Sequence, residues 1–148
     1  MKKHSLPLVV LLCAATGALA HQGVKNPAVM ARMDAMSAIG KSMKVLGGMA
    51  KEQVPFDKNS VQTALASIEK HAAMTPDLFE AIESDPKSES RPEIWEDFGD
   101  FSKKANALEN AAASLSGKIN SVDDLGPAMT SLGATCKSCH ELYREERD

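Results

Sequence analysis

The sequence predicts an all-α domain, an antiparallel up-and-down four-helix bundle. Ala, Met, Leu, Lys and Glu dominate the chain, and aromatic residues make up only 4% of its 148 residues, a composition that favours helices. Four segments place apolar residues at steps of three and four, the spacing that brings them onto one face of a helix. Such one-sided helices, joined by short connections, bury their apolar faces most simply against one another.

The first two helices are delimited by caps and prolines. Asn26–Pro27 combines a good N-cap with a proline suited to the first turn, so the first helix begins there and is bounded by Pro55. The second begins near Asn59–Ser60, and Thr75–Pro76 is expected to break or restart it. The apolar stripes are Val29, Met33, Met36, Met43 and Leu46 in the first, and Val61, Leu65, Ile68 and Ala72 in the second.

The last two helices begin at similar signals. After a polar loop over Glu83–Ser90, the third begins around Ser90, with Glu93 three residues later as a capping box. The fourth begins at Ser121, with Asp124 in the same relation. Their stripes are Ile94, Phe98, Phe101, Ala105, Leu108, Ala112 and Leu115 in the third, and Leu125, Met129, Leu132, Cys136 and Tyr143 in the fourth.

Residues 1–20 resemble a cleaved secretory signal, which leaves residues 21–148 as the bundle. A basic start at Lys2–Lys3 is followed by the apolar run Leu6–Cys13 and by the small residues of Ala18–Ala20, and the segment is too short to span a membrane. After cleavage, 15 basic residues face 20 acidic ones, without a basic stripe to bind nucleic acid or an apolar run that crosses a membrane.

Residues Cys136–His140 read Cys-Lys-Ser-Cys-His, the C-x-x-C-H signature of c-type haem attachment. On a helix that turns about 100° per residue, Cys139 lies about 60° to one side of Cys136 and His140 about 40° to the other. Two thiols can thus bond the two vinyl groups of one haem while the imidazole ligates its iron. The motif predicts one covalently attached haem c near the C-terminus, with His140 as the axial ligand. Export together with a c-type haem indicates a bacterial periplasm.

Three other interpretations of the motif have less support. A redox-active C-x-x-C is expected between a strand and a helix, and no strand pattern is visible. A zinc site needs a fourth ligand, and neither His21 nor His71 has ligand spacing to the motif. A disulfide, which an oxidising compartment permits, would leave His140 on a core-facing stripe without a partner.

Over essentially the whole exported region, the chain resembles the cytochrome c′ family, an up-and-down bundle. The segment Cys136–Arg144 resembles the family's motif near the C-terminus, followed by an aromatic and a basic residue. Arg91–Trp95 resembles its third-helix opening, and Lys51–Asp57 resembles its link between the first two helices. Arg32 with Met36 one turn later resembles the first-helix pair that faces the haem.

The resemblance implies a specific site. His140 would be the only strong protein ligand, leaving a pentacoordinate, high-spin iron that binds NO and CO and carries electrons. Arg32 would pair with a haem propionate, and Met36 would occupy the distal position, with Met33 as a further haem contact. Arg144 would lie on the proximal side. The alternative without a haem-binding role is that Arg32 is a solvated surface residue and that the methionines fill the core.

Met36 divides two hypotheses. If its sulfur ligates the iron as a sixth ligand, the protein is a low-spin electron-transfer cytochrome. If it only packs on the distal face, the protein binds gases, and the Arg32–Met36 arrangement and the third-helix opening favour this hypothesis. An enzyme is not expected, because peroxide chemistry needs a distal acid–base group and the first-helix stripe supplies Met, Val and Leu. The resemblance also implies a homodimer through the first helices, and a redox partner that the sequence does not identify.

Overall fold

The computed structural model describes residues 23–146, and the predicted leader with Cys13 and His21 lies outside them. Four long helices make up most of this part of the chain, together with one short helix and one 3-10 turn. The helices are α1 (Pro27–Ala50), α2 (Lys58–Phe79), α3 (Glu93–Glu96), α4 (Phe98–Leu115) and α5 (Leu125–Tyr143), and the 3-10 turn is Val122–Asp124. Neighbouring long helices run antiparallel, so the predicted four-helix bundle is confirmed.

Both predicted N-terminal caps of the outer helices are present. The Asn26 side chain accepts hydrogen bonds from the backbone N–H groups of Ala28 and Val29, at 2.9 and 3.2 Å. The Asp124 carboxylate accepts from the backbone N–H of Ser121 at 3.0 Å, and the chain then turns through the 3-10 segment into α5. Local side-chain chemistry therefore fixes where the first and last helices begin.

The expected break at Thr75–Pro76 is wrong, because α2 continues through Pro76 to Phe79. Proline lacks the N–H that would bond to the carbonyl one turn earlier, which normally disturbs a helix. Here Pro76 removes only its own N–H bond, to the carbonyl of Ala72 one turn earlier, and the Thr75 hydroxyl donates to the neighbouring carbonyl of His71 at 2.8 Å. The end of α2 is consequently extended as far as the aromatic side chain of Phe79.

The third helix is not continuous, and the predicted Ser90–Glu93 capping box is wrong. The backbone leaves the helical region at Asp97, with φ −132° and ψ 65°, and this residue caps α4 by accepting from the N–H of Asp100 at 3.0 Å. The Glu93 carboxylate pairs instead with Arg91, and Ser90 forms an antiparallel bridge with Arg144. The local cap is thus replaced by a long-range contact with the end of α5.

The bundle has two hydrophobic clusters at its two ends. The larger is aliphatic and includes the fully buried side chains Leu46, Val61, Leu65, Ile68, Leu125 and Leu132. The smaller is mainly aromatic and comprises Phe79, Ile94, Phe101 and Tyr143, with Cys139 packed against it. We refer to these as the closed end and the cavity end. Across residues 23–146, no helix combines the length and apolarity needed to cross a membrane.

Candidate functional site

A cavity of about 610 Å³ opens at the cavity end, between α1, α2, α4, α5 and residues 88–90. Its volume lies within the roughly 300–1,000 Å³ typical of cofactor sites. All seven predicted site residues line it, namely Arg32, Met33, Met36, Cys136, Cys139, His140 and Arg144. The fold therefore brings together residues that are separated by more than a hundred positions in sequence.

The α5 wall carries the C-x-x-C-H motif. Cys136 and Cys139 are half-buried free thiols, and burial raises the pKa of both, that of Cys139 to about 11. Both side chains are therefore protonated thiols at neutral pH. Cys139 also packs against the aromatic cluster of the cavity end. The wall presents two thiols to one face of the cavity, one helical turn apart.

His140 lines the same cavity and keeps part of its surface exposed. Desolvation by the surrounding protein lowers the pKa of the imidazole, the positive charge of Arg144 lowers it further, and the negative charge of Glu89 raises it. The ring is thus biased toward its neutral form, which is the form that ligates a metal. Within residues 23–146, no group of three His, Cys, Asp or Glu side chains is placed to hold a metal ion without a cofactor.

The α1 wall is largely apolar. Val29 and Ile39 are buried, and Met33, Met36 and Met43 are half-buried where they line the cavity. Apart from Arg32, the polar side chain that α1 contributes to the lining is Ser37. This wall offers flexible, polarisable thioether surface to a bound group and lacks a carboxylate or imidazole that would exchange protons with it.

Arg32 is buried and holds the backbone around the end of α2, so it is not a solvated surface residue. Only 2% of it is exposed, and its Nε, Nη1 and Nη2 atoms donate to the carbonyls of Leu78, Glu83 and Ala81 at 2.8, 2.9 and 2.6 Å. Its guanidinium lies over the rings of Phe79 and Trp95, with centroid distances of 4.7 and 5.4 Å. One side chain thereby satisfies a carbonyl in the last turn of α2 and two carbonyls in the loop that follows it.

The sequence analysis named Tyr143 and Arg144 at the end of α5 but missed the partners that hold them, Asp100 and Glu89. The Tyr143 hydroxyl donates to Asp100 Oδ2 at 2.8 Å, and its ring contacts Phe101 edge-on at 5.4 Å. Burial and the neighbouring Asp100 carboxylate raise the pKa of Tyr143. Glu89 pairs with Arg144, at 2.8 Å. In the sequence, these positions are only an aromatic and a basic residue after the motif, which gives no indication of their partners.

The residues present fit a haem group. A planar cofactor that is bonded to two thiols needs an apolar slot beside one helix, and the cavity provides this between the α5 motif and the α1 thioethers. The same helix also carries His140, whose imidazole lines the cavity and could ligate a haem iron. Cys136, Cys139 and His140 are the residues that would hold the group.

A family model for Cytochrome C′ matches residues 27–144. A cytochrome c-556 from Agrobacterium fabrum is 35% identical over 146 residues, which cover 97% of each chain. A cytochrome c-554 from Cereibacter sphaeroides is 36% identical over 116 residues, covering 75% of this chain and 76% of that protein.

Solved structures of similar fold include cytochromes c′. Cytochrome c′ from Rhodopseudomonas palustris superposes with a TM-score of 0.78 at 27% identity, covering 84% of this chain and all of the other. Oxidised cytochrome c556 of R. palustris gives 0.75 at 31%, with the same coverage. A ferrous cytochrome c′ variant from Alcaligenes xylosoxidans with bound NO gives 0.70 at 26%, covering 81% of this chain and 94% of the other. The chain belongs to the cytochrome c′ family, whose members bind haem c and are electron-carrying or gas-binding proteins rather than enzymes.

Proposed function

We propose that this chain is a periplasmic haem c protein in which His140 is the only strong protein ligand, so that it binds NO or CO and carries single electrons. The observation that supports this best is that two helices line one cavity, α5 with two thiols and an imidazole and α1 with an apolar stripe. When bound, the haem supplies an iron that changes oxidation state by one electron and has a coordination position for a diatomic ligand. Residues 1–20 would direct export.

The chain's own residues would divide the remaining tasks. Cys136 and Cys139 would hold the group covalently, and Met33 and Met36 would form the distal surface and exclude water. Arg32 uses one N–H on each of three nitrogens for carbonyls, and a guanidinium has five. Two N–H groups thus remain with which Arg32 would bind a propionate. Arg144 would lie beside His140 on the proximal side, since both line the cavity.

A second candidate function is a low-spin electron carrier with His140 and Met36 as axial ligands. Met36 lines the cavity from α1, so its sulfur is on the correct wall. The relatives at 35 and 36% identity are named cytochrome c-556 and cytochrome c-554, and not cytochrome c′. This difference in name is a reason to keep the second candidate. A methionine ligand would raise the reduction potential and block the gas-binding position.

The absorption spectrum of the reduced protein, with and without CO, separates the two. Open coordination predicts a high-spin spectrum without CO and rapid, complete CO binding. A sharp low-spin α band before CO is added would contradict the first proposal and support the second. Met36→Ala should convert such a low-spin spectrum to high-spin, while Met33→Ala on the same wall, as the matched control, should leave it low-spin.

The homodimer implied by the family resemblance stays a prediction. Val45 on α1 is 44% exposed, an apolar side chain outside the bundle core. Sedimentation velocity at several concentrations tests it, and a monomer at the highest concentration would contradict it.

A further inference from the structure

The carboxylate of Glu89 holds the side chain of Arg144 beside the motif. Nε and Nη2 of Arg144 both lie 2.8 Å from the same oxygen, Glu89 Oε2. The Glu89 side chain is 25% exposed and that of Arg144 is 45% exposed. Two donors on one acceptor fix the guanidinium more firmly than a single contact between mobile surface charges.

The ion pair is supported by the backbone on both sides. The N–H of Glu145 donates to the carbonyl of Glu89 at 2.8 Å, and the N–H of Arg91 donates to the carbonyl of Tyr143 at 3.0 Å. Between these bonds, Ser90 and Arg144 form an antiparallel bridge. These backbone bonds hold the loop before α3 against the end of α5. The side chains of Glu89 and Arg144 extend from neighbouring positions of this paired backbone.

Both charges act on His140. Arg144 follows it by four residues, and all three side chains line one cavity. Arg144 brings a positive charge to the ring, and Glu89, whose Oε2 lies 2.8 Å from two nitrogens of Arg144, brings a negative one. The two effects are opposite in sign, so the carboxylate offsets part of the field that the guanidinium imposes on the ring.

We infer that Glu89 is a positioning residue, which fixes Arg144 on the proximal side and balances its charge, so that the pair sets the reduction potential of the site. This inference rests on the proposed ligation by His140. An unbalanced cation beside His140 disfavours the oxidised, more positive state of the site. Removal of the Glu89 carboxylate should therefore raise the reduction potential, and removal of the Arg144 guanidinium should lower it.

A double-mutant cycle on the full-length, haem-loaded protein tests this, with the reduction potential measured by spectroelectrochemistry. Glu89→Gln should shift the potential upward, Arg144→Gln should shift it downward, and the double variant should return toward the wild-type value. The matched control is Glu52→Gln, which removes the same charge from the α1–α2 link at the closed end and should leave the potential unchanged. A potential for Glu89→Gln equal to that of the control would overturn the inference, as would a double variant that stays at the Glu89→Gln value.

Two further measurements keep this result separate from the proposed function and from general loss of structure. His140→Ala should alter the absorption spectrum of the attached haem. An unchanged spectrum would mean that His140 is not the ligand, and would contradict the proposed function itself. If that spectrum changes while Glu89→Gln leaves the potential unmoved, only the role of Glu89 fails. A purely structural effect of Glu89→Gln would not be reversed by Arg144→Gln.

Discussion

The two ends of this bundle are stabilised by different interactions. At the closed end, aliphatic side chains from α1, α2 and α5, such as Leu46, Leu65 and Leu132, are buried to 1% exposure or less and pack directly against one another. At the cavity end, aromatic rings surround a space, and the surrounding loop is held by polar contacts. The closed end can therefore fold as an ordinary hydrophobic core, while the cavity end keeps a slot open.

Two buried side chains, Arg32 and Asp85, make long-range polar contacts at the cavity end. Arg32 satisfies three carbonyls between Leu78 and Glu83. Asp85 is 8% exposed and accepts from the N–H groups of Lys25, Asn26 and Lys87, at 2.8, 3.1 and 2.9 Å. These two side chains fasten the loop after α2 to the start of α1. The comparison indicates that a cavity can be built into a small bundle when buried hydrogen bonds replace the missing packing.

The largest effect on stability is expected at the closed end. Leu46→Ala should lower the free energy of unfolding by about 2–5 kcal/mol, because it leaves a cavity among fully buried side chains. Met33→Ala, on the half-buried cavity wall, should cost clearly less. Chemical denaturation followed by circular dichroism measures both. Equal losses for the two variants would contradict the distinction between the ends.

A somewhat smaller loss is expected from Arg32→Lys. A lysine keeps the positive charge but cannot donate to three separate carbonyls. A carbonyl left unpaired away from water costs about 1–3 kcal/mol, but Ala81 and Glu83 are exposed residues, so water can bond their carbonyls and limits the loss. The loss should be localised, with faster hydrogen exchange in residues 78–91 and unchanged protection at the closed end. Uniform loss of protection would show that Arg32 supports the whole bundle.

This division also explains what could be predicted from sequence. The starts of the first and last helices, the apolar stripes and the C-x-x-C-H motif depend on residues within a few positions of one another, so they could be predicted from the sequence. The start of the third helix could not, because Ser90 forms a bridge with Arg144 near the other end of the chain. Arg32, Asp85 and Glu89 act on partners 46 to 60 residues away. From its composition, the segment Glu83–Ser90 is therefore predicted to be a polar loop. In the structure, the carboxylate of Asp85 is buried and that of Glu89 pairs with Arg144.

Acid should loosen the cavity end through Asp85. Three backbone N–H groups hold the pKa of this carboxyl below its usual value. Its contribution to stability is therefore complete above the pKa of an unfolded aspartate, about 4, and is lost as the pH falls through the lower folded value. Asp85→Asn should be less stable at pH 7 and lose less stability between pH 5 and 3. The exposed Asp77→Asn serves as control, and identical pH profiles for all three proteins would contradict this prediction.

The smallest effect is expected from a surface pair inside the motif itself. Lys137 and Glu141 are 3.5 Å apart and largely exposed, in an i,i+4 arrangement on α5. Lys137→Ala should change the free energy of unfolding by less than about 0.5 kcal/mol, and haem attachment should be unaffected. A large loss in thermal denaturation would mean that the motif is stabilised by its surface charges, contrary to the account of the cavity end given above.

The intact mass of the exported protein, produced in a host that matures c-type cytochromes, tests the central claim most directly. The account predicts the polypeptide without residues 1–20 plus one covalently bound haem. That added mass should be lost in the Cys136→Ala/Cys139→Ala variant and retained in Ser138→Ala between them. A wild-type chain that carries no haem mass, or a double variant that keeps it, would contradict the account.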